Sequence, residues 1–201
     1  MSYSIVLGNG YSRKSVPPRI LKNKNTFACN YAYRDYEVKN LICCDKHILI
    51  SAIAEGAALK SKIWTRDRWY NNIEPKNNVN VFPKLPFIIN EKYDQPMNWG
   101  SGTYAAYLAC LDEPNIMVFA GFDLWGKEGK INSVYAGQEG YAHNDSGAVN
   151  PSVWIYQFAK LFEYFHDKQF VFVNFPDWQE PEEWKKFPNF YKDNLKVLNT
   201  L

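Results

Sequence analysis

Short apolar runs alternate with longer amphipathic ones along this chain. Tyr3 to Leu7 (YSIVL) is β-branched and apolar, stops at Gly8, and predicts a first strand. NTFACNY (Asn25 to Tyr31) and VKNLICCD (Val38 to Asp45) predict a second and a third. KHILISAIAEGAAL follows, with Ile48, Ala52 and Glu55 on one helical face and Leu49, Ile53 and Ala57 on the next. SKIWT and NVNVFPKL predict two more short strands, the latter cut by Pro83. GSGTYAAYLACLDEP predicts a helix, with Ser101 or Thr103 near its start and Pro114 just past its end. NIMVFAGFDL is continuously apolar, as in a strand covered on both faces. PSVWIYQFAKLFEYFHD opens on Pro151 and carries the stripe Trp154, Phe158, Leu161, Phe162 and Phe165, again a helix. QFVFVNFP predicts a last buried strand, and the tail from Asp177 is polar and aromatic, with a helix expected near PEEWKKF.

Strands alternating with helices imply an α/β fold with a mostly parallel, Rossmann-like sheet and helices on both faces. Ligands of such sheets bind at the carboxyl ends of the strands. Gly8, Asn30, Asp45, Asp123 and Asn174 all fall there. No repeat or linker divides the chain, so residues 1–201 are expected to form one domain. Within it, the glycine-rich, polar stretch 125–150 is a candidate flexible lid and 177–201 a C-terminal extension.

Composition narrows the function. A net charge of +2 with scattered Lys and Arg, and no basic stripe, argues against a nucleic-acid partner. There is no leader-like segment, membrane anchor or apolar stretch of spanning length, so a soluble cytoplasmic protein is expected. Four cysteines, Cys29, Cys43, Cys44 and Cys110, form no C-x-x-C pair and show no metal-ligand spacing. Aromatic residues reach 17%. Most of these rings are expected in the core, and some along a groove.

Four stretches carry candidate chemistry. Gly8-Asn9-Gly10 after the first strand is half a dinucleotide fingerprint, with Arg13 where the third glycine would stand; it reads as a phosphate-facing loop or as a turn. GSGTY offers either helix N-terminal amides to an anion or a simple hydroxyl cap. Asp123 can bind a ribose or a base edge, or cap the next turn. The chain has no D-x-D pair for a divalent metal on a diphosphate. Of the histidines, His166 ends a helix and reads as structural, while His47 opens one and could serve either purpose. His143, in GYAHNDSG, is either a general base or a solvated loop residue.

In order, VLGNGYS, FACNYAYRD, SGTYAAYLA, IMVFAGFDLWG, NSVYAG and YAHND resemble the bacterial sialyltransferases of glycosyltransferase family 42 and their uncharacterised bacterial and phage relatives, over roughly Ser4 to Phe175. The resemblance implies a metal-independent, inverting glycosyl transfer from a CMP-sugar, with no cofactor, a glycan acceptor and a homo-oligomeric state. By position it implies that Gly8, Asn9, Gly10, Ser12, Asn30, Ser101, Gly102 and Asp123 bind the nucleotide. Tyr135 would hydrogen-bond the departing phosphate, and His143 would deprotonate the acceptor hydroxyl. Tyr11 stands where the family has proline, and Trp125 where it has a phosphate-facing tyrosine. Two alternatives use the same core: a phosphotransferase resembling the archaeal pterin diphosphokinases, which would want acidic metal ligands such as Asp45 and Asp123, and a non-catalytic binding module.

Overall fold

The structure, a computed structural model, describes residues 2–87 and 92–199. Eight strands form one all-parallel sheet in the order β5-β4-β3-β2-β1-β6-β7-β8. They are β1 (Ser4–Leu7), β2 (Asn25–Cys29), β3 (Asn40–Cys43), β4 (Lys62–Thr65), β5 (Val79–Val81), β6 (Ile116–Ala120), β7 (Gln169–Asn174) and β8 (Phe190–Asn194). The chain winds outward from β1 to one edge, then returns to place β6 beside β1 and winds to the other. The winding therefore reverses between β1 and β6, which is where parallel sheets of this kind open a crevice. Leu7 pairs with Ala120 at the end of that ladder, so the loops after both strands start side by side.

Successive strand residues feed opposite faces, and the helices cover both. Ile5, Leu7, Ala28, Leu41 and Cys43 pack with Ile48 and Leu49 of α1 (Lys46–Ala54). Val6, Phe27, Ile42 and Phe119 pack on the other face with α3 (Ser101–Cys110) and α4 (Ser152–Tyr164). A one-turn helix, α2 (Asp67–Tyr70), follows β4. Much of the aromatic content is here: Phe119, Phe158, Phe162, Phe170, Phe172 and Trp184 form one buried cluster.

Three elements differ from the sequence expectation. α1 stops at Ala54, because Gly56 turns left-handed (φ 78°) and Ala57–Leu59 continues only as a 3₁₀ turn. The helix expected near PEEWKKF is a single 3₁₀ turn, Glu182–Trp184. β8, unforeseen, is a polar and largely exposed edge strand held by its ladder to β7. The last two residues of the expected extension lie outside the described ones. No helix among the described residues is long and apolar enough to cross a membrane.

Candidate functional site

At the β1/β6 crossing point the two loops interlock. Gly8 N–H donates to the Ala120 carbonyl and Gly10 N–H to the Gly121 carbonyl, both at 2.8 Å. A side chain on Gly8 would run into the Gly121 backbone, and a Cβ on Gly10 would sit 2.5 Å from the Asp123 carboxyl carbon. Gly121 itself is left-handed (φ 78°), and its missing Cβ would lie 2.7 Å from the Gly8 oxygen. The glycines thus allow backbone to pack on backbone.

Asp123 secures this contact. Its Oδ2 accepts from the Ser12 amide at 3.0 Å, and its Oδ1 accepts from the Ser12 hydroxyl and from Asn174 Nδ2. Ser12 is fully buried behind it, and Ser12 Oγ accepts in turn from Gly121 N–H at 3.2 Å. Tyr11 N–H donates to Asn132 Oδ1 and Arg13 N–H to the Gly10 carbonyl. The amides of Gly8, Gly10, Tyr11, Ser12 and Arg13 are therefore all satisfied within the protein.

Arg13 takes the room a third glycine would have left. Its buried guanidinium donates to Asn9 Oδ1 (2.7 Å), to the Tyr135 hydroxyl (2.6 Å) and to Asp35 Oδ2, and lies over the Tyr135 ring. Tyr135 OH donates onward to Asp35 Oδ2 at 2.6 Å. Burial, the bond to Asp35 and the Asp35 charge push the Tyr135 pKa far up, against the lowering pull of Arg13, so the phenol stays protonated. A guanidinium only donates, so it fixes the Asn9 oxygen toward itself and leaves Nδ2 on the side of Tyr141, whose hydroxyl is 3.5 Å away.

A cavity of about 340 Å³ opens over these loops at the carboxyl ends of the strands. Its polar lining includes Asn9, Asn30, Asp45, Arg66 and Ser101. Asn30 directly follows β2 in a left-handed conformation (φ 57°), and its Oδ1 accepts from the Ser101 hydroxyl at 2.9 Å, which leaves Nδ2 as the group it can offer a ligand. Ser101 Oγ accepts from Cys44 N–H, so the first hydroxyl of α3 ties that helix to the ends of β2 and β3. No side chain caps α3; the Tyr104 amide is the first to reach a backbone acceptor, and those of Ser101, Gly102 and Thr103 precede it. Uncapped amides at a helix start are donors with a positive dipole behind them. Arg66 is held by the carbonyls of Cys44, Pro96 and Trp99.

The cavity's apolar lining includes Leu124, Trp125, Ile131, Val149 and Trp154. Leu124 is left-handed (φ 64°), an uncommon state for a bulky residue. Left-handed backbone at Asn30 and Leu124, both lining one cavity, is the kind of feature that gathers at ligand sites. Trp125 donates its indole N–H to the Gln179 carbonyl and so forms wall rather than plug. Trp154, read from sequence as part of the core stripe of α4, lies in its first turn, with its indole nitrogen 3.4 Å from where a Cβ on Gly100 would stand. Spacing alone could not separate a first-turn residue at the rim from the stripe below it.

The structure therefore brings Gly8, Asn9, Gly10, Asn30, Ser101, Gly102 and Asp123 to one cavity. It leaves Ser12 and Tyr135 outside the lining: Ser12 is buried behind Asp123, and Tyr135 is buried with its hydroxyl bonded to Arg13 and to the exposed Asp35. His143 is exposed in the 125–150 segment and outside the lining. That segment is stitched to the body by Val134 N–H to the Asn9 carbonyl (2.8 Å) and by the His47 ring, 3.1 Å from the Gly140 carbonyl. His166 is exposed just past α4. Cys29 and Cys44 sit at the cavity floor with thiol pKa values pushed up to about 12, chiefly by burial, so neither is a thiolate at neutral pH. Among the described residues no three His, Cys, Asp or Glu side chains converge as a metal site. Sequence reasoning missed Arg13 and Trp154; the only signal for Arg13 was its departure from the glycine fingerprint.

The chain is a Rossmann-like α/β protein with a donor-lined crevice at the crossing point of its sheet. No family model and no curated protein matches it. A solved structure, the sialyltransferase CST-II in complex with a trisaccharide acceptor and CMP, aligns over 85% of this chain and 80% of its own, at 13% identity and a TM-score of 0.44. At that distance the likeness concerns the course of the chain, and no residue role passes through it.

Proposed function

We propose that this cavity binds a nucleotide or nucleotide-sugar, a CMP-sugar by the sequence resemblance, and that the protein is a metal-independent glycosyltransferase of the inverting kind. The observation that carries the binding is the mixed lining. Its polar groups present donors (Asn9 Nδ2, Asn30 Nδ2, the open amides of α3 and the cation of Arg66), which suit the oxygens of a phosphate and a ribose. Its aromatic and aliphatic side chains suit a base or a sugar face. In this reading the phosphate lies at the start of α3 and the Gly8–Gly10 loop shapes the floor.

The chemical step is a displacement at the anomeric carbon, with the phosphate leaving onto N–H donors and a base taking the acceptor proton. Asp45 caps no amide of α1 and lines the cavity, which makes it a base candidate at the site; His143 serves only if its segment brings it inward. Tyr135 acts through Arg13 by holding Asn9. The phosphotransferase alternative is less favoured, since both Asp123 oxygens are already engaged by Ser12 and Asn174.

Calorimetric titration with CMP, UMP, GMP and AMP, with and without Mg²⁺, tests the reading. CMP is expected to bind without the metal, and Asn30→Gly, which keeps the left-handed backbone, is expected to weaken it. Silence from all four nucleotides sinks the proposal.

A further inference from the structure

A second cavity, of about 300 Å³, opens beyond the ends of β4 and β5. Its charged lining is Arg66, Arg68 and Lys84 against one carboxylate, Asp67, whose Oδ1 already accepts from Asn71 Nδ2 at 2.9 Å. Two of its lining rings stack: Phe82 lies on Tyr104 with centroids 3.9 Å apart and planes 7° from parallel. Pro83, Pro96 and Met97 complete an apolar surround.

Arg66 lines both cavities. Three carbonyls fix its guanidinium, yet no ion pair among the described residues neutralises it. Three carbonyls account for the place of Arg66 and the Trp69 ring, 3.8 Å from the Arg68 guanidinium carbon, for that of Arg68, but neither accounts for three cations lining one hollow with no ion pair to any of them among the described residues. A fixed, unneutralised cation and a stacked aromatic pair on one lining are complementary to an anionic group on a compact ring. The volume lies at the lower end of the range for small-molecule sites.

We infer that this second cavity binds an acidic sugar, a single ring carrying a phosphate or a carboxylate, with the anion toward Arg66, Arg68 and Lys84 and the ring against Phe82. The inference stands independently of what fills the first cavity. If the first holds a nucleotide-sugar, the shared Arg66 makes the second the place for the other substrate.

The test is calorimetric titration of the full chain with glucose 6-phosphate, glucuronate, uncharged glucose and inorganic phosphate. An acidic sugar is expected to bind well above both glucose and inorganic phosphate, and to weaken as salt is raised. Glucose 6-phosphate or glucuronate alone assigns the anion as phosphate or carboxylate. Removing the two exposed cations together (Arg68→Ala with Lys84→Ala) is expected to lower that affinity by roughly fivefold for each, with only a small fall in melting temperature from the lost stack of Arg68 on Trp69. Acidic sugars that bind no better than inorganic phosphate, or a double variant that binds like the parent, overturn the inference. Asn30→Gly is expected to leave acidic-sugar binding intact, so failure of the nucleotide reading and failure of this one are separable.

Discussion

Two glycine pairs flank the crevice and do opposite work. Gly8 and Gly10 sit where a phosphate-binding loop would, yet the loop's amides are spent on Ala120, Gly121, Asn132 and Asp123. Gly100 and Gly102 bracket the start of α3, where the amides precede the first helical bond and no side chain caps them. The first pair is glycine because two backbones touch, and the second leaves donors open toward the cavity. A glycine after a strand is therefore no phosphate site until its N–H groups are shown to be free.

The largest effect expected from this contrast is at Gly8. Gly8→Ala pushes a methyl into the Gly121 backbone, which cannot swing away as a side chain can, and is expected to cost about 3 kcal/mol or more in urea unfolding. A variant of parental stability would mean the loops are not locked together.

Asp123→Ala comes next. It strips acceptors from the Ser12 amide, the Ser12 hydroxyl and Asn174, all buried, and is expected to cost about 2 kcal/mol. If stability were unchanged while nucleotide binding vanished, Asp123 would be a ligand contact and not the clasp of the glycine loop.

These two residues also show where the sequence was legible. β1 to β7, α3 and α4 could be read from runs of Val, Ile, Leu and Phe, because burial on one or both faces writes itself into composition. β8 could not: FYKDN is an exposed edge whose existence depends on β7 offering it a ladder. The gathering of Asn9, Asn30, Ser101 and Asp123 at one edge followed from strand order. The direction of each group did not. Whether Asn9 presents oxygen or nitrogen is decided by Arg13, and whether Asp123 faces a ligand or Ser12 is decided by a buried hydroxyl. The resemblance implies that Tyr135 bonds the phosphate; the structure buries its ring and bonds its hydroxyl to Arg13 and Asp35, contacts that nothing local in the sequence records.

A smaller effect separates binding from stability among the polar lining residues. Ser101→Ala removes the hydroxyl that orients Asn30 and receives the Cys44 amide. It is expected to lower nucleotide affinity by about tenfold, as the loss of one well-oriented donor does, with a modest fall in melting temperature. Equal affinity in the variant would show that Asn30 is not held for a ligand.

The smallest change in stability is expected at Gly102, and there the contrast with Gly8 is sharpest. A Cβ on Gly102 meets only the edge of the Phe122 ring, at 3.1 Å, and alanine favours the helical backbone that glycine disfavours. The ring must shift by a few tenths of an ångström, so the two effects oppose each other and Gly102→Ala should stay within about 1 kcal/mol of the parent. The methyl nevertheless stands on the cavity lining beside the open amides of α3, where a phosphate would approach the backbone. Affinity for CMP is therefore expected to fall although the fold is untouched, the reverse of Gly8→Ala, whose harm lies in folding. Measuring both variants by urea unfolding and by calorimetry decides which pair faces the ligand: binding lost only together with stability at both positions would remove the α3 amides from the site.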